Sequence, residues 1–176
     1  GCIKDTPYHW LDVGKMCRYL LPNDQIYRIK YFTALVEARP NDPDQPVRQR
    51  MFLRALQTIP NLEIILGTFL SHEVRMPLSP IGSGYAKVIK TEEKGSDVNI
   101  ATHLLMDGFR NDYELAVVVS NDSDLLMPIQ VVTREFKNLS ACSIHKSTQA
   151  WRYYPVFNLS KKFAEPFSKT VYFPTC

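Results

Sequence analysis

Strand-length apolar stretches alternate with helix-length amphipathic ones along this chain, which predicts an α/β fold with a doubly wound, mainly parallel sheet. Two further observations support that class. The run Ala116–Val119 is apolar throughout, long enough for a buried strand, and stops abruptly at Ser120, Asn121, Asp122, Ser123 and Asp124. The length of 176 residues with 45% hydrophobic composition fits one domain with a sizeable core.

The elements follow in order. Residues 11–21 set Val13, Met16, Cys17, Leu20 and Leu21 on one helical face, and Pro22-Asn23 ends that helix. The β-branched and aromatic run 26–36 predicts a strand, and ARPNDPDQP after it a loop. A helix over 46–59 turns Val47, Met51, Phe52, Ala55, Leu56 and Ile59 inward, with prolines at its first turn and just beyond its end. Residues 62–70 predict a strand, 71–85 a long Pro/Gly/Ser loop, and 86–90 a short strand. From Ser96 or Asp97 a helix carries Val98, Ala101, Leu105 and Phe109 on one face, with Ile100 and Leu104 beside it. A strand over 115–120, a helix over 125–136 and a last strand over 139–144 complete the pattern. A C-terminal helical extension is expected over 147–176, with its helix near 158–167.

Composition narrows the function classes. A net charge of +3 leaves no strong nucleic-acid footprint in the totals, and the basic excess in 151–176 fits a solvated face. The four cysteines include no CxxC, which argues against a disulfide framework or structural zinc and for reduced thiols in a cytoplasmic protein. No apolar run reaches membrane-spanning length, and no signal peptide opens the chain, so no membrane partner is expected.

The chemistry concentrates in acidic residues. Asp122 and Asp124 sit two apart where a buried strand stops, the place where open α/β sheets build their sites. Asp97 opens the preceding helix, where a carboxylate can equally serve as a cap. One cap needs one side chain, however, and adjacent like charges disfavour each other's ionisation unless a cation is present. Asp97, Asp122 and Asp124 are therefore candidate ligands for Mg²⁺ or Mn²⁺, hard ions that take oxygen donors, with Ser120, Asn121 and Ser123 as polar support. Metal-assisted hydrolysis follows as the expected chemistry. His72, His103 and His145 are isolated, and GSGY at 82–85 lacks the Lys-Ser/Thr of a phosphate loop.

KTEEKGSDVNIATHLLMDGF followed by VVVSNDSDLLMPI resembles the NYN domain in its bacterial LabA-like branch, a relative of PIN-domain nucleases. The likeness extends to YFTALVEARPNDPDQPVRQRMFLRALQTIP and GTFLSHEVRMPL, covering the chain from Thr6 to about Ile144. It implies a single domain over 1–176 with a PIN-like three-layer α/β/α sandwich, a divalent-metal site at the strand ends, and ribonuclease activity. Asp97 matches the acidic residue of the family's KGxD motif, Asp122 and Asp124 those of its [GN]DSD motif, and Lys94 the lysine before the glycine. The family's first strand, ending in D-G-x-N, has no counterpart before GCIKDTPYHWLDV. A missing N-terminal strand is thus expected: either the sequence is a fragment, or the central place is filled by a partner chain, a second copy or a rearranged strand. Lys94, Lys90, Arg48 and Arg75 are the candidate RNA contacts. The alternative is a non-catalytic RNA-binding or regulatory module on the same scaffold. A phosphotransfer domain fits poorly, because the double carboxylate falls late in the chain.

Overall fold

The computed structural model describes residues 10–80, 82–120, 122–136, 140–146, 151–155 and 168–174. Its elements are α1 (Val13–Leu20), β1 (Gln25–Ala34), α2 (Gln45–Leu56), β2 (Leu62–Pro77), β3 (Tyr85–Lys94), α3 (Ser96–Phe109), β4 (Leu115–Val119), α4 (Leu126–Glu135), β5 (Ser140–Lys146), β6 (Trp151–Pro155) and β7 (Ser168–Pro174). The strands form one sheet in the order β3-β2-β1-β7-β4-β5-β6. The five inner strands are parallel, and the outer strands β3 and β6 run antiparallel to their neighbours. The α/β class and the mainly parallel sheet are therefore as the sequence predicts.

Both faces of the sheet are covered. On one face Val13 and Cys17 of α1 and Leu53 and Leu56 of α2 pack with Ile29, Val117, Val119, Val171 and Phe173. On the other, Ile100 and Leu104 of α3 and Ile129 and Val132 of α4 pack with Phe32, Ala116, Val118 and Tyr172. All five residues of β4 are buried, as its unbroken apolar run requires of a parallel strand covered on both sides. Asp12 caps α1 by accepting from the Lys15 N–H at 2.9 Å. Burial beneath that helix pushes the Cys17 thiol up to about 12, so it packs as a small hydrophobe.

The central place is filled. β7 lies between β1 and β4, pairing Val171 with Ile29 and Tyr172 with Val118, so the chain's own β7 occupies that central position. The described parts of 147–176 are accordingly strands rather than a helical extension, and 139–144 is not the last strand. The helix expected near 158–167 lies outside the described residues.

Three other expectations are corrected. Residues 71–85 are not a long loop, because β2 continues to Pro77 and pairs with β3 from Thr68↔Lys94 to Pro77↔Tyr85. In α2 Leu56 is buried, and Phe52 and the following Ile59 pack half-buried against the core as expected, but Leu53 joins them while Val47, Met51 and Ala55 are exposed. In α3 the buried stripe is Ser96, Ile100, Leu104, Asp107 and Gly108, leaving Val98 and Phe109 exposed. That stripe was masked in the sequence because Asp107 is a buried charge.

The partner of Asp107 is Lys30 on β1, whose Nζ lies 2.5 Å from Oδ2, both side chains being almost wholly buried. The Tyr172 hydroxyl donates to the same oxygen at 2.9 Å, and Nζ lies 3.1 Å from Nδ1 of His103. Burial first, and the Lys30 charge second, lower the pKa of His103 and keep its ring a natural acceptor. This network ties β1, α3 and β7 together at the middle of the sheet. Nearby, Gly108 leaves room for Tyr113: an added Cβ would stand 2.8 Å from the Tyr113 hydroxyl, which donates to the Leu104 carbonyl at 2.9 Å. Gly108→Ala should therefore cost about 1–3 kcal/mol by overpacking, despite the better helix propensity of alanine. Denaturant melts showing a stabilised Gly108→Ala variant would refute this account of the position.

Candidate metal centre

The site lies at the carboxyl end of β4, in the middle of the sheet. β4 delivers buried Ser120, whose Oγ accepts from the Asp122 N–H at 3.0 Å. Asp122 in turn accepts from the Asp124 N–H at 2.9 Å and caps a single 3₁₀ turn, Ser123–Leu125. Buried Leu125 anchors that turn, so the loop is held at both ends. Asp122 is therefore the cap of this turn, and its second carboxylate oxygen remains for other work.

α3 brings the second half. Its entry residue Gly95 has φ 93°, the left-handed region glycine adopts without a Cβ penalty, and the chain turns there directly from β3 into the helix. The Ser96 hydroxyl donates to the Glu93 carboxylate. The turn closes tightly over Gly67 of β2, where an added Cβ would stand 3.0 Å from the Lys94 carbonyl and 3.3 Å from Ser96 Oγ. Asp97 then sits in the first turn of α3.

The electrostatics show what this assembly does to Asp97. A helix N-terminus alone should lower its pKa. The Asp97 carboxyl is instead raised, first by burial, then by the charges of Asp122, Glu93 and Asp124, with a hydrogen bond to Asp122 adding to the effect. Burial and neighbouring negative charge together thus outweigh the helix dipole. Asp97 feels the charges of Asp122 and Asp124, two of the residues singled out in the sequence, and also that of Glu93, which sequence reasoning missed. Its signal was present: Glu93 precedes Asp97 by one tight turn, hidden by assigning the preceding strand too short an extent.

Among the described residues, no three His, Cys, Asp or Glu side chains converge closely enough to enclose an ion. The donor chemistry nonetheless fits Mg²⁺ or Mn²⁺, since every group present is a hard oxygen donor and the neighbouring charges already raise the proton affinity of Asp97. Ser123 is exposed at the start of the 3₁₀ turn. Asn121 lies outside the described residues.

A proton held more tightly by the folded than by the unfolded chain has a definite consequence. Stability falls as pH rises from the ordinary value of 3.8 through the raised value, because Asp97 must then ionise beside its neighbours. Asp97→Asn should flatten that part of the profile and, in chelator at neutral pH, raise stability by on the order of 0.5 kcal/mol, a modest figure because the group is largely exposed. Mn²⁺ should raise the melting temperature of the native chain and less that of the variant. Identical responses to Mn²⁺ would count against a cation at Asp97.

The four candidate RNA contacts do not form one patch. Arg48 on α2 makes a bidentate pair with Asp42, its Nη2 lying 2.7 and 2.6 Å from the two oxygens. Lys90 and Lys94 both pair with Glu92, holding that carboxyl down at about 2. Arg75 stacks over the Tyr85 ring at 5.0 Å. Lys94 is adjacent to Gly95 at the site, whereas Arg75 lies toward the far end of the β2–β3 hairpin.

No helix among the described residues is long and apolar enough to cross a membrane. No known family profile matches the chain, and no solved structure matches it. Among curated proteins it is similar to the 6-hydroxy-3-succinoylpyridine 3-monooxygenase HspA of Pseudomonas putida (strain DSM 28022 / S16), at 26% identity over 159 residues and 75% of this chain. The match covers 51% of that protein, so this chain spans about half the length of the relative.

Proposed function

We propose that this chain is a divalent-metal-dependent ribonuclease built on a PIN-like NYN domain of the cytoplasm. The observation that carries the reading is the raised proton affinity of Asp97, caused after burial by Asp122, Glu93 and Asp124. Asp122 and Asp124 after β4, Glu93 near the end of β3 and Asp97 at the start of α3 put negative charge on one another's surroundings, which raises the proton affinity of Asp97. Asp97, Asp122, Asp124 and Glu93 would hold Mg²⁺ or Mn²⁺, which when bound would lower the pKa of a water and neutralise charge developing on phosphate. Ser120 fixes the Asp122 loop, and Ser96 orients Glu93. In the reaction a water oxygen bonds to phosphorus, the bond from phosphorus to the leaving sugar oxygen breaks, and a proton passes to that oxygen. Without a cation the carboxylates repel the phosphate, so activity should depend wholly on added metal.

A second reading has its own observation. No three carboxylates among the described residues converge at ligand geometry, which favours a non-catalytic RNA-binding or regulatory module. One experiment separates the two. Single-stranded and hairpin RNAs are incubated with the purified chain in Mg²⁺, Mn²⁺ or chelator. Cleavage confined to the metal lanes supports the nuclease. Salt-sensitive RNA retention with intact RNA in every lane selects the binding module.

A further inference from the structure

α3 is joined to β1 by a contact whose chemistry permits one protonation state. Nζ of Lys30 lies 3.1 Å from Nδ1 of His103 and 2.5 Å from Oδ2 of Asp107. The same Asp107 oxygen accepts from the Tyr172 hydroxyl at 2.9 Å, so it serves as the ionised acceptor of two donors and its lysine partner is the ammonium. An ammonium has three N–H donors and no lone pair. Nδ1 of His103 therefore supplies the lone pair, which places the ring proton on Nε2 and leaves the imidazole neutral.

The surroundings of the ring divide between the two signs. Burial, the largest influence, disfavours an imidazolium, as do Lys30 of β1 and Arg110 of α3, while Asp107 of α3 and Glu63 of β2 favour it. Tyr172 of β7 enters through Asp107, and the Phe32 ring of β1 stands edge-on to the imidazole, with centroids 5.5 Å apart. Ile129 and Val132 of α4 share the core cluster of Ile100 and Leu104, and its charged groups Arg134 and Glu135 are exposed. Lys30 and Asp107 are almost wholly buried, whereas half-buried His103 has water to turn its ring toward.

We propose that His103 is an acid-sensitive latch that holds α3 to β1. Protonation turns Nδ1 from an acceptor into a donor and sets two cations 3.1 Å apart, so the ring swings away from Lys30. The buried ammonium then keeps Asp107 alone, and α3 loses a side-chain tie to β1. The sign is fixed by the surroundings of the ring. The folded chain binds this proton less readily than the unfolded one, so the latch is closed above the ordinary value of 6.5. Its stabilisation is lost as pH falls through the lowered value. The same helix carries Asp97 in its first turn, so acid loosens the helix that enters the candidate metal centre.

Imidazole nitrogen NMR spectra, joined to amide hydrogen exchange across a pH series, test this. Near neutral pH the native chain should show His103 with Nε2 protonated and Nδ1 bare, assigned by the signals that His103→Asn removes. The ring should titrate below 6.5. Protection of the α3 amides, corrected for intrinsic exchange and referred to α2 on the opposite face, should drop through the same midpoint. In His103→Asn an amide oxygen stands in for Nδ1, accepts from Lys30 and takes no proton in this range. That chain should fold near neutral pH as the native chain does and lose the acid step in α3. A proton on Nδ1 near neutral pH, or α3 protection that stays flat through the His103 midpoint, would overturn the proposal. So would an α3 step that persists in His103→Asn, or a His103→Asn chain that fails to fold near neutral pH.

Discussion

Asp122→Asn is expected to lower metal-dependent RNA cleavage by about 100-fold or more, equivalent to roughly 2.7 kcal/mol of barrier. The loop itself should survive. An amide oxygen can still accept the Asp124 N–H that Asp122 accepts at 2.9 Å, and Ser120 Oγ can still accept the backbone N–H of residue 122. What disappears is one negative charge beside Asp97. Asp122 is the largest single neighbour-charge contribution to the raised Asp97 carboxyl, so that group should return toward its ordinary value. The variant should therefore melt no lower than the native chain, bind RNA no less tightly, and respond less to Mn²⁺. Unchanged cleavage by Asp122→Asn would end the nuclease reading. Lost cleavage together with lost folding would instead mark Asp122 as only a cap.

The largest stability effect is expected at the sheet's centre. Asp107→Leu strands the Lys30 ammonium in the core with only His103 beside it, and the Tyr172 hydroxyl loses its acceptor. Breaking a buried pair on one side costs about 3–5 kcal/mol, since the remaining charge is left without compensation. For a domain of this size that is a drop of roughly 10 °C in melting temperature. Lys30→Met should cost a comparable amount, while the double variant Lys30→Met/Asp107→Leu should recover much of the loss, because no charge is then left unpaired. Additive losses in the double variant would contradict this picture. A single-variant loss below about 1 kcal/mol would show that water reaches the pair.

Much of the candidate site was legible in the chain. SNDSD after LAVVV contains both strand and turn, because a parallel strand covered on both faces must be apolar throughout and its sharp end must be polar. Asp97 was legible as a helix-opening carboxylate. Glu93 was not, because a strand of exposed mixed residues looks like a loop until its pairing partner is known. The same blindness turned the β2–β3 ribbon into a supposed Pro/Gly/Ser loop: Ser71, His72 and Arg75 have no burial pattern to read, since neither face of the ribbon is buried.

By itself, then, the sequence determined the α/β class, the alternation that makes most of the sheet parallel, and the carboxylates gathered after β4. Each of these is local, written in side-chain period and in how a strand stops. Only the tertiary structure decided that β7 enters between β1 and β4, 134 residues from Ala34 to Ser168 along the chain. It likewise decided that α3 buries Asp107 rather than Val98 and Phe109. A lysine in a strand and an aspartate in a helix look like surface residues until they meet. Once Lys30 and Asp107 lie 2.5 Å apart beneath Tyr172, the pair can be buried, and the face of α3 turns to accommodate it.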